Sequence, residues 1–465
     1  MSTRRVGLCG TVAAAGVLAL AACASGSGEP TQAEVTYGSD AAMSGELTVM
    51  GFGTGDDVAQ VRYDRATEEL GDDVDVSLVE GDLDIQAFLS AVAAGDPPDL
   101  VYANRDQIGT FASRGAILPL TDCIAAEDVD TGQFREAASG QVTFDGEVYA
   151  LPEFNQVQVT MADSSLLSAA GLGIEAVNGS DWDAVTQATS ALVRRDGGAL
   201  SVIGFDSKLP EFFPLWAKSN GADLLSDDAR TAQLDSPEAL EALELAVAVY
   251  DAQGGFPAVK AFRDSADFFG EGNQFATHTL GAMPMENWYV NVLNEVSPDA
   301  TLAFDTFRTR EGEPLAFATG SAWAIPAGSP NAAAACRFAA TMVEQDSWLA
   351  AAQARADARA ESGQVFTGLL TGNADADEEI RSTLVEPSGS PVWDQAVEAV
   401  YEANENTFSL PANPADAEFK AAWQDGVNRV LNGQQEPAEA LAQAQEEAQE
   451  ALDDAWAEWD ERSDG

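Results

Sequence analysis

Histidine is almost absent from this chain: its 465 residues contain one, His278. No Cys/His group has metal-ligand spacing, so catalytic zinc and His-based acyl transfer lose their basis. Bases are scarce as well, 23 Lys and Arg against 77 Asp and Glu, for a formal net charge of -54. Such a field repels nucleic acid and anionic lipid. The acids are spread along the whole chain, so they favour solubility and do not by themselves imply a cationic ligand. Beyond the N-terminal stretch, no apolar run approaches the roughly 20 residues that span a bilayer. The loop Gly51-Phe52-Gly53-Thr54-Gly55 lacks a Gly-Lys-Ser/Thr ending and GxGxxG spacing, which argues against a nucleotide cradle. No internal repeat is apparent. The expectation is no cofactor, no metal and no nucleic-acid partner.

What is present is a globular body. Hydrophobic residues make up 46% of the chain, and the length suggests two to three domains' worth of core. At the N-terminus, Arg4-Arg5, an apolar run from Val6 to Ala22 and small residues read as a secretory signal. Leu20-Ala21-Ala22-Cys23 resembles a bacterial lipobox, in which the thiol is acylated and the chain is cut before the cysteine. Residues 1–22 are then a signal peptide, and 23–45 a lipid anchor and flexible Ser/Gly/Thr-rich tether. A lipobox diacylglycerol holds firmly where a single chain does not. The plainer alternative is an ordinary signal peptide with an incidental cysteine. Cys9 leaves with the signal and Cys23 carries lipid. Cys123 and Cys336 remain, an even pair in an oxidising compartment. They form either a bond across a long loop or two separate buried thiols.

Apolar periodicity places strands at Glu46–Met50, Val74–Val79 and Asp99–Tyr102, with helices at Val58–Leu70, Ile85–Ala94 and Gln107–Gly115. That alternation predicts an open parallel α/β sheet. Helices are expected at 240–250, 332–343, 392–404, 415–431 and 437–459, and residues 461–465 are expected to fray.

Several motifs then fall in one order. Pro98-Asp99-Leu100-Val101-Tyr102 through Asn104-Arg105-Asp106 to Gly115 and Pro119 is similar to a stretch of the family 1 extracellular solute-binding proteins. These are the maltose-binding-protein-like receptors of carbohydrate ABC importers. Asp145-Gly146-Glu147-Val148-Tyr149-Ala150-Leu151-Pro152, Ala170-Gly171-Leu172 with Asp181-Trp182-Asp183, and Gly281 through Trp288 resemble further family segments. So do Thr319 through Asn331, and Asn432-Gly433 with Ala440-Leu441. The matches run from about Glu46 to Leu452.

The resemblance implies an α/β, two-lobed, type II periplasmic-binding-protein-like fold with discontinuous lobes joined by a hinge. The N-lobe is expected at 46–155 plus 320–406, and the C-lobe at 156–319 plus 407–460. Crossings are placed near 155–160, 317–325 and 407–413. Cys123 and Cys336 then share the N-lobe, which favours their bond.

A sugar packs its C–H face on aromatic rings, and its hydroxyls need carboxylate, amide or guanidinium partners. Asp106 aligns with a sugar-binding carboxylate of the family, and Asn104 and Arg105 precede it at a strand's C-terminal end, the edge that ligands favour. Ala103 and Gln107 replace an aromatic and an arginine of the maltose-binding type, which argues against maltodextrin. Glu286, Asn287 and Trp288 supply a stacking ring between polar neighbours. Phe213 and Trp216, in the run Glu211 to Trp216, are the expected aromatics of the C-lobe. Asn155 and Gln156 lie at the first crossing, Trp323 on a return crossing, and Thr54 and Asp56 after the first strand. Trp182, Trp456 and Trp459 read as packing, His278 as non-functional, and Asp375–Glu379 as a solvated loop or helix start.

The resulting expectation is a lipid-anchored extracellular receptor, monomeric and not an enzyme. It would capture a sugar or short oligosaccharide between its lobes and deliver it to the permease subunits of an ABC importer. The alternatives are the same fold binding a peptide, polyamine or polyol, and a secreted glycosidase with two carboxylates.

Overall fold

The computed structural model of the protein describes residues 35–38 and 41–463. Cys23, the signal peptide and most of the proposed tether lie outside the described residues. The end of that tether is packed: Tyr37 and Met43 lie against the N-lobe core.

The strands are β1 (Gly45–Met50), β2 (Val74–Val79), β3 (Leu100–Asn104), β4 (Thr143–Phe144), β5 (Glu147–Val148), β6 (Leu151–Gln156) and β7 (Gln158–Asp163). They continue with β8 (Arg194–Asp196), β9 (Ala199–Phe205), β10 (Leu280–Glu286), β11 (Leu302–Thr306), β12 (Ala316–Phe317), β13 (Thr319–Ala324) and β14 (Thr407–Phe408). One five-stranded sheet has the order β2-β1-β3-β13-β6, the other β11-β7-β10-β9-β8. Each is the centre of a lobe. The first three strands pair in parallel, as their alternation with helices predicts. The sheet is nonetheless mixed, because β13 runs antiparallel to β3 and β6. Strands that return from the other lobe enter from the opposite end, a consequence local periodicity does not carry.

Helix Asp57–Leu70 starts at Asp56, whose Oδ1 accepts the Ala59 N–H at 2.8 Å. That hydrogen bond satisfies an amide left unpaired at every helix start. Helices Ile85–Ala94 and Ala332–Val343 have the expected bounds. The last helix runs from Pro437 to Ser463, so the expected fraying does not begin at 461. Ser463 Oγ still donates to the Trp459 carbonyl at 3.0 Å. Cys123 and Cys336, both fully buried, are joined in a disulfide with Cα atoms 5.8 Å apart.

Three crossings join the lobes. The first is Val157, between β6 and β7. The second runs through β12 to β13, and the third enters β14, which pairs in parallel with β12. Helix Pro391–Glu405 was expected with the N-lobe. It instead packs on β11: Trp393 lies 6.1 Å from Phe304, and Thr306 and Arg308 both bond Glu402. The chain thus changes lobes before this helix. The final helix pair touches both sides, with Arg114–Glu418 at 2.8 Å toward the N-lobe and Arg230–Asp460 at 3.1 Å toward the C-lobe.

Beside the first crossing lies a buried polar chain. Asn155 Nδ2 donates to Asn404 Oδ1 at 2.7 Å, and Asn404 Nδ2 to Asp377 Oδ2 at 2.8 Å. Arg135 pairs with Asp377 at 2.9 Å. Asp377 therefore departs from the expected solvated acidic segment; it is buried, in the first turn of helix Ala374–Thr383. Burial pushes its carboxyl up to about 6, against the opposing pull of Arg135. The folded protein holds this proton more tightly than the unfolded chain, whose Asp titrates near ~3.9. Stability contributed by Asp377 is therefore greatest below that value and falls as pH rises toward about 6. Urea unfolding at pH 4.5 and pH 7 should show wild type losing more stability across that interval than Asp377→Asn. Equal losses would contradict the assignment.

Candidate functional site

A cavity of about 530 Å³ lies between the lobes. On the N-lobe side it is lined by Asn104, Arg105 and Asp106, just past the C-terminal end of β3. The crossings contribute Gln156, Gln158, Phe317, Thr319 and Gly320. Lys208, Glu211, Phe212, Phe268, Phe269, Glu286 and Trp288 form the C-lobe wall. Asn413, Asp416, Phe419, Lys420 and Trp423 close one end.

Trp288 opens the helix Trp288–Val296, directly after β10 and Asn287. Its Nε1 donates to Glu286 Oε2 at 2.6 Å. Its ring stacks on Phe269, with centroids 6.0 Å apart and planes 17° from parallel. Phe269 is 65% exposed. Phe268 stacks on Tyr289 at 4.2 Å, which fixes this aromatic pair beneath the shelf. Burial raises the Glu286 carboxyl above its ordinary range.

Asp106 faces the other way across the cavity. Its Oδ2 accepts from Lys420 Nζ at 2.6 Å, while its Oδ1 is buried without a partner. A buried lone pair with no donor is costly, and here it borders an open cavity. Asp416 lies behind it, accepting from the Asn413 amide at 2.9 Å and its side chain at 2.6 Å. Burial holds Asp416 well above the usual carboxylate range, and the Asp106 charge pushes in the same direction.

Arg105 serves the scaffold. It is fully buried. Its Nε donates to Gln141 at 3.0 Å, and its terminal nitrogens to the Phe154 carbonyl at 2.9 Å, Asn155 Oδ1 at 2.8 Å and the Thr319 carbonyl at 2.6 Å. Desolvation pulls its pKa down to about 10, so it stays charged at neutral pH. Gly320, with φ at 152°, lets β13 approach: a Cβ there would overlap the Phe154 carbonyl and press on the Arg105 guanidinium.

The sequence model of the family described as "Bacterial extracellular solute-binding protein" matches residues 63–359. The chain belongs to that family. A stretch of 223 residues is 24% identical to the arabinooligosaccharide-binding protein of Halalkalibacterium halodurans. It covers 46% of this chain and 46% of that protein, so the match spans less than half of the relative. Among solved structures, CpMnBP1 with mannotriose bound gives a TM-score of 0.68 at 23% identity, covering 87% of this chain and 99% of that one. The GacH receptor of Streptomyces glaucescens, solved unliganded and with acarbose, gives 0.66 at 16% identity over 89% and 100%. These likenesses give the two-lobed type II fold.

In this solute-binding protein, Asn104, Asp106, Gln156, Glu286 and Trp288 line the cavity, and Arg105 borders it with its guanidinium committed to the scaffold. Seven other candidates do not line it. Phe213 and Trp216 are fully buried; Trp216 Nε1 donates to the Ser207 carbonyl at 2.9 Å. Their neighbours Glu211 and Phe212 line the wall instead, because helix Phe213–Ser219 turns its first aromatics into the core. Trp323 is the centre of the N-lobe core, 4.7 Å from Tyr102 and 5.0 Å from Phe52. Asp56 caps its helix and pairs with Arg355 at 3.3 Å, and Thr54 sits in the loop before it. Asn155 belongs to the buried chain beside the crossing. Asn287 clamps that crossing: its backbone N–H donates to the Val157 carbonyl at 2.8 Å, and its Oδ1 accepts the Val157 N–H at 3.1 Å.

Sequence reasoning missed Lys208, Phe268, Phe269, Lys420 and Trp423. Phe268-Phe269 carried a signal, two aromatics beside Gly270 and Gly272 in a polar loop. Lys420 and Trp423 carried none, since helical spacing reads as packing. Among the described residues, no group of His, Cys, Asp and Glu could hold a metal ion, and no helix is long and apolar enough to cross a membrane.

Proposed function

We propose that this protein captures a sugar or short oligosaccharide between its lobes and hands it to the permease of an ABC importer. The observation that carries the reading is the Trp288–Phe269 shelf opposite an unpaired Asp106 oxygen, with Glu286 beside the ring. A flat apolar surface facing hydroxyl acceptors is what a pyranose or furanose requires. The volume falls within the ~300–1,000 Å³ of small-molecule sites. The sugars named for the arabinooligosaccharide-binding relative and for the mannotriose complex support the same class. A ligand touching both walls binds the closed state better, and closure of the hinge follows from that difference. The chain acts as a monomer. Lipid on Cys23 would keep it beside its transporter on the outer face of the membrane.

Calorimetry against a panel of neutral oligosaccharides, with product analysis alongside, tests the reading. Turnover would overturn it, as would tight binding of a polyamine with no response to any sugar. Trp288→Ala should weaken binding of a responding sugar by roughly thirtyfold, the effect of losing about 2 kcal/mol at a central aromatic anchor. Quenching of tryptophan fluorescence by the sugar should shrink with it. An unchanged affinity would remove Trp288 from the site.

A further inference from the structure

Lys208 stands out on the C-lobe wall. It is only 9% exposed and lines the cavity. Its side chain has no hydrogen-bond acceptor and no carboxylate partner among the described residues, whereas Lys218, Lys260 and Lys420 each pair with an aspartate. The Nζ lies 5.8 Å from the centroid of Phe268, another lining residue. The stem is buried while the Nζ keeps access to the cavity, so its hydrogens are free for a ligand. Its backbone is strained, since φ is +57° at a residue that is not glycine.

The fold secures this arrangement from behind. The Lys208 N–H donates to Asp206 Oδ1 at 3.0 Å. Asp206 is itself buried and held by Arg263 at 3.0 Å and by the Tyr250 hydroxyl at 2.7 Å. Arg263 makes the ion pair with Asp206, and the Lys208 charge acts on that carboxylate at longer range without a contact. Held, strained polar groups that border a cavity are characteristic of ligand contacts.

We infer that Lys208 is a ligand-contacting donor which, with Glu286 as the adjacent acceptor, grips neighbouring hydroxyls of a neutral sugar unit stacked on Trp288 and disfavours uronic acids. This rests on the sugar-receptor reading above. Both groups line the same wall of the cavity. One ammonium donates to oxygen lone pairs while one carboxylate accepts hydroxyl protons, a pairing suited to a polyol edge. A uronate carboxylate would meet Lys208, but also Glu286 and Glu211 on the same wall, while Asp106 opposite is paired with Lys420. Two carboxylates against one ammonium make the C-lobe wall repel an anion.

The test uses the folded chain with mannotriose, arabinotriose, maltotriose and trigalacturonate as probes in calorimetry, for wild type, Lys208→Met and Lys208→Gln. Lys208→Met keeps the stem and should weaken the best neutral trisaccharide about tenfold to a hundredfold. Its unliganded melting temperature should stay close to the wild-type value, because the ammonium faces the cavity and the variant keeps the buried stem. Lys208→Gln, which retains a donor, should fall between Met and wild type, and it carries the comparison if the Met variant does not fold. Affinity within twofold of wild type in both variants overturns the inference while leaving the receptor reading intact. So does a wild-type preference for trigalacturonate. Wild type that binds none of the neutral probes overturns both.

Discussion

Replacing Cys123 and Cys336 together by alanine should destabilise the protein by about 2–5 kcal/mol. The bond joins helix Thr121–Ala126 to helix Ala332–Val343 across a separation of 213 residues. Closing so long a loop removes much of the unfolded chain's freedom, and loop-entropy reasoning places a segment of this size near the top of the range. The sulfurs are fully buried within an apolar cluster that includes Trp323 and Phe338, so their loss also removes packing. For a chain of 465 residues the unfolding entropy is about 1 kcal/mol per kelvin. The melting temperature should therefore drop by about 2–5 °C. Reductant should lower the wild-type value and leave the double variant unmoved. Two free thiols in denatured wild-type protein, counted without reductant, would refute the bond. Neither cysteine lines the cavity, so ligand affinity should change little.

Arg105→Met should cost on the order of 3–5 kcal/mol and weaken ligand capture with it. A single planar guanidinium supplies donors to Gln141, the Phe154 carbonyl, Asn155 and the Thr319 carbonyl. These acceptors belong to three separate parts of the chain: Phe154 and Asn155 are on β6, Thr319 begins β13, and Gln141 precedes β4. Removing the donor leaves buried acceptors unsatisfied where two strands pass between lobes. Arg105→Lys should recover only part of the loss, because an ammonium lacks the rigid fork that reaches four partners. Asp106 follows directly in sequence, so disorder at 105 displaces the carboxylate that borders the cavity. Urea titration combined with calorimetry separates the effects. Full stability in Arg105→Lys would show that the fork geometry is dispensable.

The site was half legible. Asp106, Glu286 and Trp288 could be placed because the ordered motifs of the family cover them, and Asp106 also follows a strand legible from local pattern. Asn155 and Asn287 have the same residue chemistry as ligand contacts, yet both are spent on the hinge. Asn287 makes a reciprocal pair with Val157, and Asn155 bridges Arg105 to Asn404. Nothing local distinguishes an amide that clamps a crossing from one that meets a ligand. The run Glu211–Trp216 was read in the right region but on the wrong face, since the turn entering helix Phe213–Ser219 decides which aromatics point inward. Lys208 was passed over because its significance is the lack of a partner, and partners are long-range facts.

The sequence by itself determined the elements and the family. Helix and strand bounds follow from apolar period and capping residues, interactions within a few positions, and the ordered motifs name the kinship. It also determined the net charge, a field that repels nucleic acid. Only the tertiary structure decided which carboxylates are paired, which tryptophans are core, and where the chain changes lobes. Helix Pro391–Glu405 shows why: its apolar face suits either sheet, and contact with Phe304, Thr306 and Arg308 settles the choice. Burial and pairing arise from residues hundreds of positions apart, and those distances are set by the packing of the whole.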